Sequence, residues 1–344
     1  MKKRILAAVI AGLMVVSMAA GCAKPKVTLG QYKGLEVTDV SQAELEARMQ
    51  ELLEEHAEWV AVLREAVEGD TVNINYEGKL DGVAFEGGTD ASEEGTDLVL
   101  GSGSFIDGFE EGLIGTVAGQ TLDLNLTFPD PYTNNPDLAG KAVVFTVTVN
   151  KVKELQTPEW TDEFAAENYA EVASTAEELK QALLENMQMD SFYSQITEDL
   201  MKNCTVDKIP TDDVAERALA LVNEYTSYAQ MYASMYGVDV ATMLAYLGFQ
   251  STAQLQQYAQ EYATEVVKNE WILKEIAKVE GITVSDELYA EEVVEYAEYY
   301  GYDDVKEFEK DNKKENIEFS ILAELVMEFL VDEAVVVAPK ATEE

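Results

Sequence analysis

Residues 69–88 read GDTVNINYEGKLDGVAFEGG, and their reading decides the fold. Val72, Ile74 and Tyr76 alternate with Asn73, Asn75 and Glu77, the period of a strand with one buried face. Three more pieces follow in order: LVLGSGSFIDGFEEGLIG at 98–115, FPDPY at 128–132 and GKAVVFTVTVNKVKE at 140–154. Leu122, Leu124 and Leu126 repeat the alternation, as do Val143, Phe145, Val147 and Val149. Gly82, Gly87, Gly88, Gly101, Gly103, Gly119 and Gly140 punctuate these runs and read as turns. A short helix fits residues 106–114. Strands with one short helix make a compact α+β unit of about 85 residues, an ordinary domain size.

On either side the pattern changes. Upstream, residues 27–37 read as an extended piece closed by Lys33-Gly34, and residues 38–68 as a helix. Ser41 can cap that helix, with Glu44 completing a capping box. Downstream of residue 157 helices dominate. They are expected to begin near Thr161, Ser174 and Pro210-Thr211, and over residues 252–279, 285–300 and 311–331. Residues 335–344 read as a frayed tail.

The chain of 344 residues has room for two or three domains, and its 47% hydrophobic content argues against global disorder. Its 66 acidic and 24 basic residues give a net charge of −42. That balance excludes nucleic acid as an expected partner, because phosphates need Lys/Arg neutralisation. It also disfavours charge-driven adsorption to an anionic membrane. A single histidine, His56, in a stretch read as helical, makes a transition-metal site or a His-dependent nucleophile improbable. No cofactor is expected: GSGSF lacks the lysine of a phosphate-binding loop, and the acidic segment 90–97 lacks calcium-ligand periodicity.

Residues 1–21 read as a signal segment, with a basic start at Lys2, Lys3 and Arg4 and an apolar run too short for a comfortable span. Its ending, Ala19-Ala20-Gly21-Cys22, resembles a bacterial lipobox, although Ala19 stands where Leu is commoner. The resemblance implies cleavage before Cys22, a lipid on its thiol, and a place on the extracytoplasmic face of the cell membrane. The other cysteine, Cys204, is then without a disulfide partner and reads as an inert buried thiol.

In order and spacing, the four pieces of residues 69–154 resemble the FKBP-type peptidyl-prolyl isomerase domain, most closely the version carried in the trigger factor family. The fold implied is an antiparallel sheet with a short helix. The implied reaction breaks no covalent bond; its barrier of about 18–20 kcal/mol is lost amide resonance as the C–N bond twists. An apolar pocket, a shape that fits the twisted amide and a hydrogen-bond donor can lower that barrier. Each tenfold of rate needs about 1.4 kcal/mol.

By this resemblance Tyr76 is the pocket tyrosine, and Phe85-Glu86 matches the family's Phe-Asp pair with Glu in place of Asp. Phe105-Ile106 matches the pair whose second backbone N–H takes the substrate carbonyl. Phe109 stands where most members carry the tryptophan floor, Phe145 is the aromatic of the last strand, and Tyr132 is the rim tyrosine. The acidic segment 90–97 is expected near the pocket mouth. Against this stands the plain reading that alternating aromatics in a small β domain are core.

The flanks resemble the same family. VTLGQYKGLEV with the following helix is similar to its linker, and TPEWTDEFAAE, STAEELKQALLENM, KIPTDDVAERAL and ILKEIAKVEGITVSDELYAEEV are similar to its helical chaperone domain. The family's ribosome-docking domain has no counterpart in the stretch, so ribosome attachment is not expected. Tyr225, Tyr228, Tyr232 and Tyr236 share one helix face by spacing, beside Met231 and Met235, with Met243, Tyr246, Tyr258 and Tyr262 after them. Such a face is either an adaptable cradle for unfolded chains or ordinary helix–helix packing.

The expected organisation is therefore a signal peptide (1–21), a tether and linker helix (22–68), the isomerase domain (69–154), a helical chaperone domain (155–335) and a tail (336–344). The implied function is a membrane-anchored folding factor that isomerises X–Pro bonds and holds unfolded exported polypeptides. The alternatives are an ATP-independent holdase with an inactive pocket, and a surface adhesin or solute-binding lipoprotein.

Overall fold

A computed structural model describes residues 25–339. The expected signal segment, Cys22 with its expected lipidation, and residues 340–344 of the tail lie outside the described residues. In chain order the elements are β1 (Lys26–Thr28), β2 (Glu36–Thr38), α1 (Gln42–Glu55), β3 (Glu58–Val62), β4 (Thr71–Leu80), β5 (Val83–Asp90), β6 (Thr96–Val99), β7 (Thr121–Thr127) and β8 (Ala142–Gln156). There follow α2 (Asp162–Asn168), α3 (Ala176–Asn203), β9 (Thr205–Asp207), α4 (Thr211–Tyr236), α5 (Val240–Tyr246), α6 (Thr252–Glu280), α7 (Asp286–Tyr299), α8 (Val305–Asp311), α9 (Lys314–Asp332) and β10 (Val335–Val337). The mixed class read from the sequence is the class observed. The described residues form two compact units: Glu46–Lys180, and those up to Leu45 together with those from Gln181 onward.

In the first unit β4 and β8 pair antiparallel along most of β4, from Thr71↔Lys153 to Lys79↔Val144. On its other edge β4 takes β5 and β6, while β3 and β7 pair with β8. The inward residues of β8 are Val143, Phe145, Val147 and Val149, and then Val152. The beat slips by one because a bulge opposite Asn73 and Ile74 leaves Asn150 outside the ladder. Its amide instead donates to the Oδ1 atoms of Asn73 and Asn75 at 3.0 and 2.8 Å.

Several expectations are corrected here. The helix expected over residues 38–68 stops at Glu55, and Glu58–Val62 is an edge strand on β8. Trp59 is aromatic and Val60 and Val62 are β-branched, and the open edge of β8 supplies backbone partners. His56 lies just past α1, its ring edge-on to Phe164 at 5.3 Å. The helix expected over residues 106–114 is turns ending in a single 3₁₀ turn, Glu111–Leu113, after Gly108 at φ 87°. Gly87 and Gly88 lie inside β5 rather than at a turn.

In the second unit α3, α6 and α9 share a core of Phe192, Ile196, Leu200, Ile272, Ile276, Phe319, Val326 and Leu330, joined by Leu35 and Val37 from the start of the chain. Cys204 is buried in this core, as expected. The early segment is stitched down at both ends: β1 pairs antiparallel with β9, and β2 pairs parallel with β10. Val335–Val337 is thus a paired strand, not the frayed tail expected. The α1 capping box forms as expected, with Ser41 N–H donating to the Glu44 carboxylate at 2.8 Å and Glu44 N–H donating to Ser41 Oγ at 3.2 Å.

Helix α4 lies along α6 through Val214, Ala218, Ala259, Ala263 and Val267. Beside them Arg217 and Glu270 form a buried ion pair at 2.8 Å. Gly237 ends α4 in the left-handed conformation at φ 67°. The last helix starts at Lys314 rather than at 311, and α8 occupies the residues before it.

Candidate functional site

The inward faces of β4 and β8 place Tyr76 and Phe145 side by side, ring centroids 6.2 Å apart. Strand β5 adds Phe85 and Glu86, the 101–106 loop adds Phe105 and Ile106, and the 128–138 segment adds Phe128, Tyr132 and Leu138. Together they line a cavity of about 570 Å³. The rings meet edge to face: Tyr76 on Phe105 at 5.5 Å, Phe85 on Phe128 at 5.8 Å, and Phe85 on Phe145 at 6.2 Å. Such contacts hold a wall of aromatics rigid.

Of the eight pocket residues named from the resemblance, seven line this cavity. The eighth, Phe109, lies behind the wall at 0% exposure, 4.4 Å from the Phe105 ring and 5.3 Å from Phe145. It supports the wall rather than forming its surface. The acidic segment expected at the mouth is drawn onto the sheet instead. The Asn73 and Asn75 amides donate to the backbone carbonyls of Glu94 and Ser92, and the segment does not line the cavity.

Electrostatically the cavity is plain. Burial, and then the Asp90 carboxylate, raise the Tyr76 phenol above its usual pKa, so it stays a protonated donor at neutral pH. Glu86 and Asp107 are exposed at the cavity. Among the described residues no group of three or more His, Cys, Asp or Glu could hold a metal ion. The arrangement offers apolar walls, a phenol and backbone donors. It suits binding and twisting a neutral, apolar group rather than covalent chemistry.

Sequence reasoning missed Leu138, Asn134, Asn135 and Ser104 in the lining. It also missed Glu110, a buried carboxylate whose Oε2 accepts from the N–H of Gly101 (2.8 Å) and Gly103 (3.1 Å), and whose Oε1 accepts from that of Phe105 (3.1 Å). The available signal was the loop itself, since a Gly/Ser-rich curl beside a core must find acceptors for its backbone donors.

A second candidate surface lies on α4. Ala229 and Ala233 take the buried face. Tyr228, Met231, Tyr232, Met235 and Tyr236 are exposed, Met235 at 66% and Tyr236 at 67%. Tyr232 and Tyr236 stack at 6.3 Å with ring planes 12° apart. Tyr225 follows the packing reading, edge-on to Phe249 at 5.2 Å, and so does Met243 on α5, which packs against the same cluster. Tyr258 and Tyr262 on α6 stack similarly at 6.0 Å, and Tyr246 on α5 is exposed. Small residues won the interface because they let two helices approach closely, which leaves the bulky ones outside.

Residues 63–150 match the family of FKBP-type peptidyl-prolyl cis-trans isomerases, and residues 173–332 match the bacterial trigger factor C-terminus. Trigger factor 1 of Desulfitobacterium hafniense is 41% identical over 299 residues, covering 84% of this chain and 68% of the relative. The trigger factor of Limosilactobacillus fermentum is 34% identical over 318 residues, covering 88% of this chain and 71% of the relative. A solved trigger factor chaperone, described for promiscuous substrate recognition in folding and assembly, aligns with a TM-score of 0.39 at 21% identity, over 90% of this chain and 73% of that one.

Proposed function

From the premise that this chain belongs to the trigger factor family, we propose that it is a folding factor that isomerises X–Pro bonds at the Tyr76–Phe145 cavity. On this reading it also holds unfolded exported polypeptides on the Tyr/Met face of its helical unit. The observation that carries the catalytic part is the 570 Å³ aromatic cavity beside the Ile106 backbone. A proline ring seated there leaves water, and its charge-separated planar amide loses solvation that the twisted amide does not need. The N–H of Ile106 donates to no protein acceptor among the described residues and can take the substrate carbonyl. Together these effects favour the twisted state.

The test is isomerisation of a proline peptide by the chain from residue 23 onward, beside Tyr76→Ala and Phe105→Ala. Acceleration that falls at least tenfold in both variants supports the enzyme. Uncatalysed rates in all three refute it. The exposed Tyr/Met face favours a second reading, a pure holdase, in which aggregation of an unfolded protein is suppressed equally well by the pocket variants and no isomerisation is seen.

The lipobox-like ending at Cys22 supports anchoring at the extracytoplasmic face of the membrane. Mass spectrometry of the mature N-terminus tests this: a chain starting at a diacylated Cys22 is expected, and an unmodified start elsewhere refutes it.

A further inference from the structure

Within the 101–105 loop, every backbone N–H has a protein acceptor. Those of Gly101, Gly103 and Phe105 go to the Glu110 carboxylate. That of Ser102 donates to Val99 O at 3.2 Å, and that of Ser104 to Ser102 Oγ at 3.3 Å. The Ser102 hydroxyl reaches Glu110 Oε1 at 3.3 Å. Gly101 and Gly103 adopt φ of 95° and 68°, values an L side chain rarely takes, and these curl the loop around the carboxylate. The first N–H without a partner is that of Ile106, at the cavity wall.

We propose that Glu110 is a positioning residue of the isomerase site. Its buried carboxylate occupies the loop's donors and fixes the loop so that the Ile106 N–H, the first beyond it without an acceptor among the described residues, is presented to a bound peptide. This rests on the isomerase reading above and adds to it a residue that touches no substrate. Two features of the geometry carry it, and the electrostatics agree. Glu110 is 5% exposed, so no water competes well for its oxygens. Both oxygens accept, so a neutral amide cannot replace the carboxylate: its NH₂ would face an N–H. Burial alone would raise the carboxyl's pKa, but donors from Phe105, Gly103, Gly101 and Ser104 hold it below the usual value and keep it ionised.

The test uses the chain from residue 23 onward as wild type, Glu110→Gln and, as control, Glu111→Gln. The exposed Glu111 carboxylate accepts only from Gly108 N–H and touches none of the 101–105 loop donors. Three readouts are taken: amide hydrogen exchange, affinity for a short proline peptide followed at the Ile106 amide by NMR, and kcat/KM. For Glu110→Gln, exchange at Gly101, Gly103 and Phe105 should rise about tenfold or more while the β8 amides keep their protection. Peptide affinity and kcat/KM should each fall about tenfold, the scale of a charge-assisted hydrogen bond. Glu111→Gln should stay within twofold of wild type.

Affinity and kcat/KM within twofold of wild type in Glu110→Gln would overturn the proposal, as would a peptide that binds without moving Ile106. If Glu110→Gln loses β8 protection, Ser102→Ala decides. It removes the hydroxyl's bonds to Glu110 Oε1 and to Ser104 and leaves the carboxylate in place, and it must weaken peptide binding severalfold with β8 intact. Glu110-dependent peptide binding without isomerisation would sink the enzyme reading and leave the positioning role standing.

Discussion

Gly78 sits in β4 directly opposite Phe145, where the rings of Phe145 and Phe85 both pack over it. A Cβ there would lie 2.6 Å from Phe145 Cε1 and 2.8 Å from Phe85 Cε1. Carbon atoms prefer about 3.5–4.0 Å, so each ring must retreat by roughly 1 Å. Neither can do so freely: Phe145 is held by Phe109 at 5.3 Å and Phe85 by Phe128 at 5.8 Å. Gly78→Ala therefore overpacks a filled core, at about 1–3 kcal/mol. The better strand propensity of Ala offsets this by about 0.5–1 kcal/mol. A net loss of about 1–2 kcal/mol leaves the domain folded, but a 1 Å misplacement of reacting groups can cost about a hundredfold. Isomerisation should thus fall ten- to a hundredfold, far more than the fraction unfolded explains. Urea denaturation with an unchanged m-value, measured beside peptide isomerisation, checks both numbers. Wild-type stability together with kcat/KM within twofold of wild type would refute the reasoning.

Arg64 bridges the Asp70 carboxylate (2.6 and 2.9 Å) and Glu154 (2.6 Å), and its hydrogen bonds hold the Asp70 carboxyl below its usual pKa. That stability is present above the unfolded carboxyl value of about 3.9 and is lost as pH falls through the lower folded value. Arg64→Ala should lower the melting temperature at pH 7 and flatten its decline below pH 4; an unchanged acid limb counts against the pairing. In the helical unit, a Cβ on Gly30 would overlap the backbone carbonyl of Asn203, so Gly30→Ala should cost about 1–3 kcal/mol in urea denaturation. Its isomerase rate should stay within twofold, and a tenfold fall would show that the two units are coupled. Replacing Tyr232, Met235 and Tyr236 by Ser should change stability by about 0.5 kcal/mol per site at most while weakening suppression of client aggregation. Undiminished suppression would move the client surface elsewhere.

The isomerase sheet was legible because its signal is local. Val72, Ile74 and Tyr76 alternate with polar neighbours, and the ring-bearing motifs fall at fixed spacing. Helix starts such as those at Ser41 and Thr161 were legible for the same reason, since each of these residues caps through its own side chain. What was not legible depends on partners distant in sequence. Strand β3 is mostly exposed and exists because β8 offers it an edge; β10 exists because β2 does. Glu110 was missed because an acidic residue in a Gly-rich loop looks like a solvated surface group unless the loop's need for acceptors is counted. The Tyr/Met stripe misled in the other direction. Its spacing marks a face, but alanines one position on make the closer helix contact and took the inside.

The parallel pairing of β2 with β10 also dictates an order of events. Residues 36–38 cannot find their partner until residues 335–337 exist, nearly the whole chain later, whereas the Glu46–Lys180 unit is continuous and complete in itself. On a chain that emerges N-terminus first, the unit with the aromatic cavity can close while the helical body is still missing its last strand. Closing so long a loop is entropically costly and slow. The topology thus carries a late step of its own, in which the helical unit is closed after the sheet-bearing one.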